Sequence, residues 1–361
     1  MGSLVKDSYL KVFRDKRVLV TGHTGFKGSW LTLLLHSLGA EVMGYALPPE
    51  LEGSHFDRLG IEKSIHHVCD DIRDSDRLLA EVATFQPEIV FHLAAQALVR
   101  SSYVDPKTTF DVNVGGAVNL LEAVRQCDSV KALVFITSDK CYENLEWIWG
   151  YRESDAMGGH DPYSASKGAV ELIFSSYLRS FLTHRQNFGA ATARAGNVIG
   201  GGDWAVERIV PDCIRALQVG RPICIRSPRA TRPWQHVLEP LSGYLKLAAS
   251  LYEQGHAFDG AWNFGPPVGD VRTVLDVANA IAMHFEGGEV IIDEQTNKPH
   301  EAHLLQLNSD KARQLLQWTT RWDFDQTLSA TGDWYNAVLV EGRPANDVSR
   351  EQIFQYYGGQ L

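Results

Sequence analysis

The sequence predicts an α/β fold: a doubly wound parallel sheet with helices on both faces and a smaller C-terminal lobe. Three observations carry this. Short β-branched apolar runs recur through the first half of the chain, helical stretches separate them, and a glycine-rich turn joins the first run to the first helix. The first run, Val18-Leu19-Val20, is too short for a helix and suits a buried strand. The turn Thr21-Gly22-His23-Thr24-Gly25-Phe26-Lys27-Gly28 follows, then an apolar helix over 29–38 that Gly39 can end. Further strands are expected at 41–47, closed by Pro48-Pro49, and at 65–70, leading into Asp71-Ile72-Arg73-Asp74. A helix at 75–85, a strand at 88–95, a helix at 108–127, and strands at 132–137 and 191–194 complete the alternation. Such spacing implies parallel strands with right-handed crossovers. Beyond about Gly200 the rhythm breaks into turn-rich stretches such as Arg226-Ser227-Pro228-Arg229-Ala230-Thr231-Arg232-Pro233-Trp234. We expect residues 1–200 to form a Rossmann-type nucleotide-binding domain. Residues 201–361 are expected to form mainly a substrate-capping lobe, with returns to the main sheet.

Composition narrows the function. With 361 residues, 44% hydrophobic and 22% charged, the chain is an ordinary soluble globular protein. A net charge of −10 argues against nucleic acid or an anionic membrane as partner. No apolar run approaches the roughly 18 residues that span a bilayer, and the first residues lack a basic–apolar–small signal pattern, so a cytoplasmic location is expected. The five cysteines, Cys69, Cys127, Cys141, Cys213 and Cys224, form no Cys-x-x-Cys pair and have no histidine at metal spacing, so no metal is expected.

Strand, glycine turn and helix together make a phosphate cradle. Glycines let the backbone turn tightly, and the helix N-terminus offers free N–H groups to a pyrophosphate. The spacing is Gly22-x-x-Gly25-x-x-Gly28. Ligands of doubly wound sheets bind beyond the carboxyl ends of the strands. That places Asp71 and Ile72 near an adenine, and Leu93, Ala94, Ala95 and Gln96 along the cofactor. An acidic residue about 20 positions past the glycines usually bonds the ribose, but here the chain reads Tyr45-Ala46-Leu47. NAD and NADP are not separated on that ground. His23 and Lys27 either supply compensating polar contacts or are solvated loop residues.

The sharpest chemical signal is Tyr163-Ser164-Ala165-Ser166-Lys167, which sets a Tyr and a Lys one turn apart on a helix begun by Asp161-Pro162. An ammonium beside a phenol favours the phenolate; moving a Tyr from about 10 to near 7 takes roughly 4 kcal/mol. The fifth strand runs into Thr137-Ser138-Asp139-Lys140-Cys141-Tyr142. An acid and a base side by side at the mouth of a cofactor site suggest more than hydride transfer. Asp139 is a candidate general acid and Lys140 a candidate general base. Tyr103, soon after the fourth strand, is a candidate to pack on cofactor or sugar.

With these residues in view, the chain resembles the extended short-chain dehydrogenase/reductase family, and within it the 4,6-dehydratases of nucleotide sugars. The resemblance spans nearly the whole length and includes Leu93-Ala94-Ala95-Gln96, Asn113-Val114-Gly115-Gly116 and Arg194-Ala195-Gly196-Asn197-Val198-Ile199-Gly200-Gly201-Gly202-Asp203-Trp204. Relatives acting on dTDP- or UDP-sugars have Thr-Asp-Glu where this chain has Ser138-Asp139-Lys140. Lys in place of Glu is a feature of the branch acting on CDP-glucose. The resemblance implies NAD as cofactor and CDP-glucose as substrate. Tyr163, held by Lys167, would take the carbon-4 hydroxyl proton, with Ser138 bonding that hydroxyl. Lys140 would take the carbon-5 proton, and Asp139 would protonate the departing carbon-6 hydroxyl. Asn197 and Arg232 would contact the substrate phosphates, and the assembly would be a homodimer or homotetramer paired through helices 108–127 and 163–182. A nucleotide-sugar 4-epimerase, a reductase consuming cofactor and a silent dinucleotide-sensing scaffold are the alternatives; the Asp139-Lys140 pair speaks against the epimerase.

Overall fold

The computed structural model describes residues 7–225, 227–267, 272–292 and 304–359. Arg226 of the turn-rich stretch lies outside them. Six strands, β1 (Arg17–Thr21), β2 (Glu41–Ala46), β3 (His66–Cys69), β4 (Ile89–His92), β5 (Ala132–Ile136) and β6 (Gly189–Ala195), join a seventh, Gly260–Phe264, in one sheet. The order is Gly260–Phe264, β6, β5, β4, β1, β2, β3, and every neighbouring pair is parallel. The chain starts at β1, winds outward to β3 and then crosses back to β4. The reversal between β1 and β4 opens the crevice in which such sheets bind ligands.

The doubly wound parallel sheet is as the sequence predicts, and the differences in detail have local causes. Helix α1 (Phe26–Ser37) starts three residues earlier than the apolar run suggests, because Gly25 is its N-cap in extended conformation. The strand expected at 88–95 stops at His92, where Leu93 N still bonds Thr21 O and Ala94 N turns to the Thr21 hydroxyl. The helix expected at 108–127 is Pro106–Phe110 and Gly116–Arg125 joined by a π-helical turn, Asp111–Gly115. Such turns insert one residue and re-aim the side chains around it.

The sheet is buried on both faces. On one, Leu31, Leu33 and Leu34 of α1, Trp262 and the helix Leu238–Gln254 make a core with the C-terminal helix Phe324–Leu339. On the other, Leu120, Leu121 and Phe174 cover Leu19, Leu133 and Phe135. The Trp30 indole donates to Gly201 O at 2.9 Å and ties α1 to the C-terminal half. Gly201 must be glycine, since a Cβ there would lie 2.0 Å from the Trp334 ring.

Four histidines are enclosed in this core. His55 lies between the Ser29 and Ser349 hydroxyls and stacks on Trp30, His92 pairs with the Thr21 hydroxyl, His23 pairs with His67, and His236 packs against Trp30 and Trp322. Burial pulls all four down to about 3. Unfolded, each takes a proton near pH 6.5. Their contribution is therefore complete above pH 6.5 and is lost as pH falls from 6.5 toward 3, by about 1.4 kcal/mol per pH unit each. Glu239 runs the other way: burial pushes it up to about 7, so it opposes one histidine between about pH 4.5 and 7. Thermal melts should show Tm dropping steadily from pH 6.5 to 5.5, with a shallower slope in His55→Gln. A Tm flat over that interval contradicts the assignment of four neutral buried imidazoles.

Candidate active site

The glycine turn is built by steric necessity. Gly22 takes φ +73°, donates its N–H to Tyr45 O, and leaves no room for a Cβ, which would sit 2.7 Å from Ala94 N. A Cβ at Gly28 would lie 2.0 Å from Gly22 O, so the third glycine lets α1 close onto the turn. Gly25 is different: a Cβ there meets only Gly22 O, at 3.4 Å. No side chain caps α1, and its first N–H groups stay open over that space. Open space and free donors at a 12-residue helix suit a pyrophosphate, so the site fits a dinucleotide.

Other loop residues depart from expectation. His23 is neither solvated nor aimed outward; its ring is wholly buried over Gly44, edge-on to Phe56, with Nε2 bonded to His67 Nδ1 at 2.7 Å. The Thr24 hydroxyl holds Leu47 O at 2.9 Å, fixing the turn to the end of β2. Phe26 reaches toward Gly200 of the C-terminal half. Lys27 is half-buried in the cleft; burial and the nearby Arg208 lower it to about 8, against the attraction of Asp139 and Asp203.

Beyond β3, Asp71 is held below the usual carboxylate range chiefly by Arg73, whose Nη2 lies 2.6 Å away. Ile72 is buried and packs against Gly116. Beyond β4, the Gln96 side chain does not extend along the cofactor crevice. Its amide is spent on Leu98 O and the Thr109 hydroxyl, while its backbone N–H bonds Asn113 Oδ1. Leu93, Ala94 and Ala95 stay half-buried along the crevice. Tyr103 is 59% exposed on Val99–Val104 and stays outside the cluster. Its neighbour Ser102 makes the contact instead, accepting the Tyr163 N–H at 3.2 Å.

Tyr163 and Lys167 share one face of the helix Pro162–Tyr177, whose start is capped by Asp161. Lys167 Nζ lies 5.8 Å from the Tyr163 ring centre. Burial raises the phenol to about 12; the Ser138 hydroxyl and Arg208 lower it, while Asp139 and Asp161 raise it. Burial lowers Lys167 to about 8. Reaching a phenolate near pH 7 from 12 takes roughly 7 kcal/mol, more than the free-Tyr estimate, because the enclosing site itself disfavours charge. Ser138, Asp139 and Lys140 form a short turn after β5. Ser138 Oγ donates to Asp139 Oδ1 at 2.9 Å and accepts from Lys140 N, Asp139 is buried, and Lys140 is half-buried.

The structure thus brings Ser138, Asp139, Tyr163, Lys167 and Lys27 together. It adds three groups to which the sequence reading gives no role. Arg208 is anchored by Asp203 at 3.0 Å and faces Tyr163 and Lys27. Asn113, in the π turn, donates to the Ser166 hydroxyl and to Gln96 O. Glu171 lies one turn beyond Lys167, paired with Arg194. The tyrosine-lysine spacing extended by four would have found Glu171; Arg208 carries no local signal. Asn197 O accepts from Gln235 N, linking the two-residue strands Val198–Ile199 and Gln235–His236. Arg232 is half-buried on a short strand paired with Arg272–Thr273, its Nη1 on Thr231 O.

A family model described as GDP-mannose 4,6 dehydratase matches residues 19–331. A curated CDP-glucose 4,6-dehydratase from Salmonella typhimurium is 46% identical over 349 residues, covering 95% of this chain and 97% of that one. Among solved structures, the epimerase Mth375 of Methanothermobacter thermautotrophicus is 25% identical with TM-score 0.77, covering 95% of this chain and 96% of that one. The Thermus thermophilus UDP-glucose 4-epimerase complex with NAD is 28% identical with TM-score 0.74, covering 88% and 98%.

The contrast between Gly28 and Gly25 is testable. Gly28→Ala should cost about 1–3 kcal/mol from overpacking and impair cofactor retention, whereas Gly25→Ala should keep nearly wild-type stability. Equal Tm losses in the two variants would refute this account of the turn.

Proposed function

The chain belongs to the GDP-mannose 4,6-dehydratase family, and from that premise we infer that it is an NAD-dependent dehydratase converting CDP-glucose to CDP-4-keto-6-deoxyglucose. The observation that carries the reading is the buried Asp139, in a turn with Lys140, beside the Tyr163–Lys167 pair. A 4-epimerase needs the tyrosine and lysine but no further acid–base pair. The 46% identity to a CDP-glucose 4,6-dehydratase, beside 26% to the UDP-glucose 4-epimerase of Rhizobium meliloti, supports the same choice.

The free N–H groups at the start of α1 would hold the NAD pyrophosphate, with Ile72 near the adenine and Ala94 along the cofactor. The chemistry NAD would supply there, when bound, is reversible hydride transfer between carbon 4 and carbon 6. On the protein side, Tyr163 takes the carbon-4 hydroxyl proton. Lys167 and Arg208 are the two cations placed to favour its phenolate, and Ser138 steadies the hydroxyl through the same hydrogen-bonding position it offers Tyr163. Lys140 takes the carbon-5 proton, which the adjacent ketone has acidified. Asp139 delivers a proton to the departing carbon-6 hydroxyl and water leaves. As hydride reaches carbon 6, Lys140 returns its proton to carbon 5, and the proton held by Tyr163 replaces the one Asp139 gave up, so each residue regains its starting charge. On an acidic protein, Arg208, Lys27 and Arg232 supply the positive charge a diphosphate needs.

The division of labour is part of the proposal: cofactor binding falls to 1–200 and substrate capping mainly to 201–361, which also contributes the strand Gly260–Phe264 to the sheet. Pairing of two copies through the helices around 108–127 and 163–182 is proposed as well. The exposed Phe110, Leu172 and Phe181 would be covered in such an interface. Among the described residues no helix is long and apolar enough to cross a membrane.

Incubating the protein with CDP-glucose and catalytic NAD should remove one water from the sugar nucleotide, read by mass spectrometry, without net reduced cofactor. Tyr163→Phe should bind the nucleotide sugar but not turn it over. An unchanged mass with a new stereoisomer would make the protein an epimerase instead.

A further inference from the structure

Beneath the site lies an ion pair sealed from solvent: the side chains of Arg194 and Glu171 are 3% and 5% exposed, with Arg194 Nη2 2.7 Å from Glu171 Oε2 and Nε 2.8 Å from Oε1. Both carboxylate oxygens are saturated, because the Thr137 hydroxyl donates to Oε1 at 2.5 Å and the Thr192 hydroxyl to Oε2 at 2.8 Å. The remaining guanidinium nitrogen, Nη1, donates to the Tyr142 hydroxyl at 2.6 Å. Thr137 immediately precedes Ser138, and Tyr142 closes the turn that holds Asp139 and Lys140. Glu171 itself follows Tyr163 and Lys167 on the same helical face, at the eighth and fourth positions beyond them.

We propose that the Glu171–Arg194 pair is a positioning clamp for the Ser138–Asp139–Lys140 turn, gripping its entry through Thr137 and its exit through Tyr142, and so setting the elimination groups in register with the Tyr163–Lys167 helix. The proposal rests on the dehydratase reading above. A buried ion pair is a poor source of stability, since desolvation offsets its attraction, but it holds geometry tightly once every donor and acceptor is used. Two halves of one reaction need two sets of groups at one sugar, and a displacement of about 1 Å costs on the order of 100-fold in rate. The helix is held by its own hydrogen bonds and by the core, whereas the three-residue turn is tied through its ends, by the backbone bonds Thr137 N to Ala193 O and Gly158 N to Cys141 O and by the two side-chain grips. Loosening the grips therefore moves both elimination groups, Asp139 and Lys140, but only Ser138 of the oxidation groups.

The test cuts each grip and leaves the ion pair intact. Thr137→Val and Tyr142→Phe, made singly and together, remove one hydroxyl each without stranding a buried charge. The expected result is a kcat lowered roughly 10-fold in each single variant and on the order of 100-fold in the double. KM for CDP-glucose should stay within about twofold, and reduced cofactor should accumulate during turnover because oxidation outruns elimination. A purely structural role predicts a lower Tm with wild-type kcat and no accumulation, and that outcome overturns the proposal, as does a rise in KM at unchanged kcat. Should one variant fail to fold, the other is decisive alone. Failure of the wild type itself to dehydrate CDP-glucose would sink the functional reading, and is recognised before any variant is made.

Discussion

The arrangement of this site depends on one constraint: charged chemistry has to be placed inside a closed α/β core without loss of register. The Glu171–Arg194 pair meets it. Its two members come from the Tyr163 helix and from β6, and their hydroxyl partners come from the end of β5, from β6 and from the turn that follows β5. Tyr142 passes the constraint on to Asn263 of the returning strand Gly260–Phe264, and Asn263 in turn bonds Tyr151 O. Helix, turn and the C-terminal return to the sheet are thus tied by one polar network whose described members are satisfied. The cost of leaving any of them unpaired makes the network cooperative.

The cofactor side follows a different logic, in which backbone rather than side chains sets the geometry. Gly22 and Gly28 are required by contacts of under 3 Å, while Gly25 leaves the helix start open. Next to this cradle the polar inventory is unusual. His23 is enclosed and paired with His67, no carboxylate stands at Tyr45-Ala46-Leu47, and the Asp71 carboxylate is taken by Arg73. Lys27 places a cation of lowered pKa between the cradle and the acid–base groups. Lys27, Arg208 and Lys167 thus form a group of neighbouring cations in which Arg208 and Lys167 disfavour the charge on Lys27.

The fold was legible because its signals are local. Strand periodicity, the glycine turn and the alternation with helices each depend on a few adjacent residues, and all sheet strands predicted from them formed, with ends shifted by a few residues. Boundaries slipped where a tertiary contact decides, as at His92, where the Thr21 hydroxyl draws the chain out of the sheet. Within the site, residues at helical spacing, Tyr163 and Lys167, could be read as a unit. Others could not. Whether His23 and Lys27 point into the core or the cleft depends on Phe56, His67 and Asp139, none of which is near in sequence. Gln96 and Tyr103 are both expected along the crevice by distance from β4, yet the Gln96 amide is spent on Leu98 O and the Thr109 hydroxyl and the Tyr103 ring is largely exposed. Arg208 is invisible for the same reason: only folding carries it to Tyr163.

The central claim is that one pocket oxidises carbon 4, eliminates across carbons 5 and 6, and reduces carbon 6 with the same hydride. The direct measurement is turnover of CDP-glucose deuterated at carbon 4, with product examined by NMR. The account predicts deuterium in the carbon-6 methyl group. Deuterium remaining at carbon 4, or washed into solvent or free reduced cofactor, would contradict it.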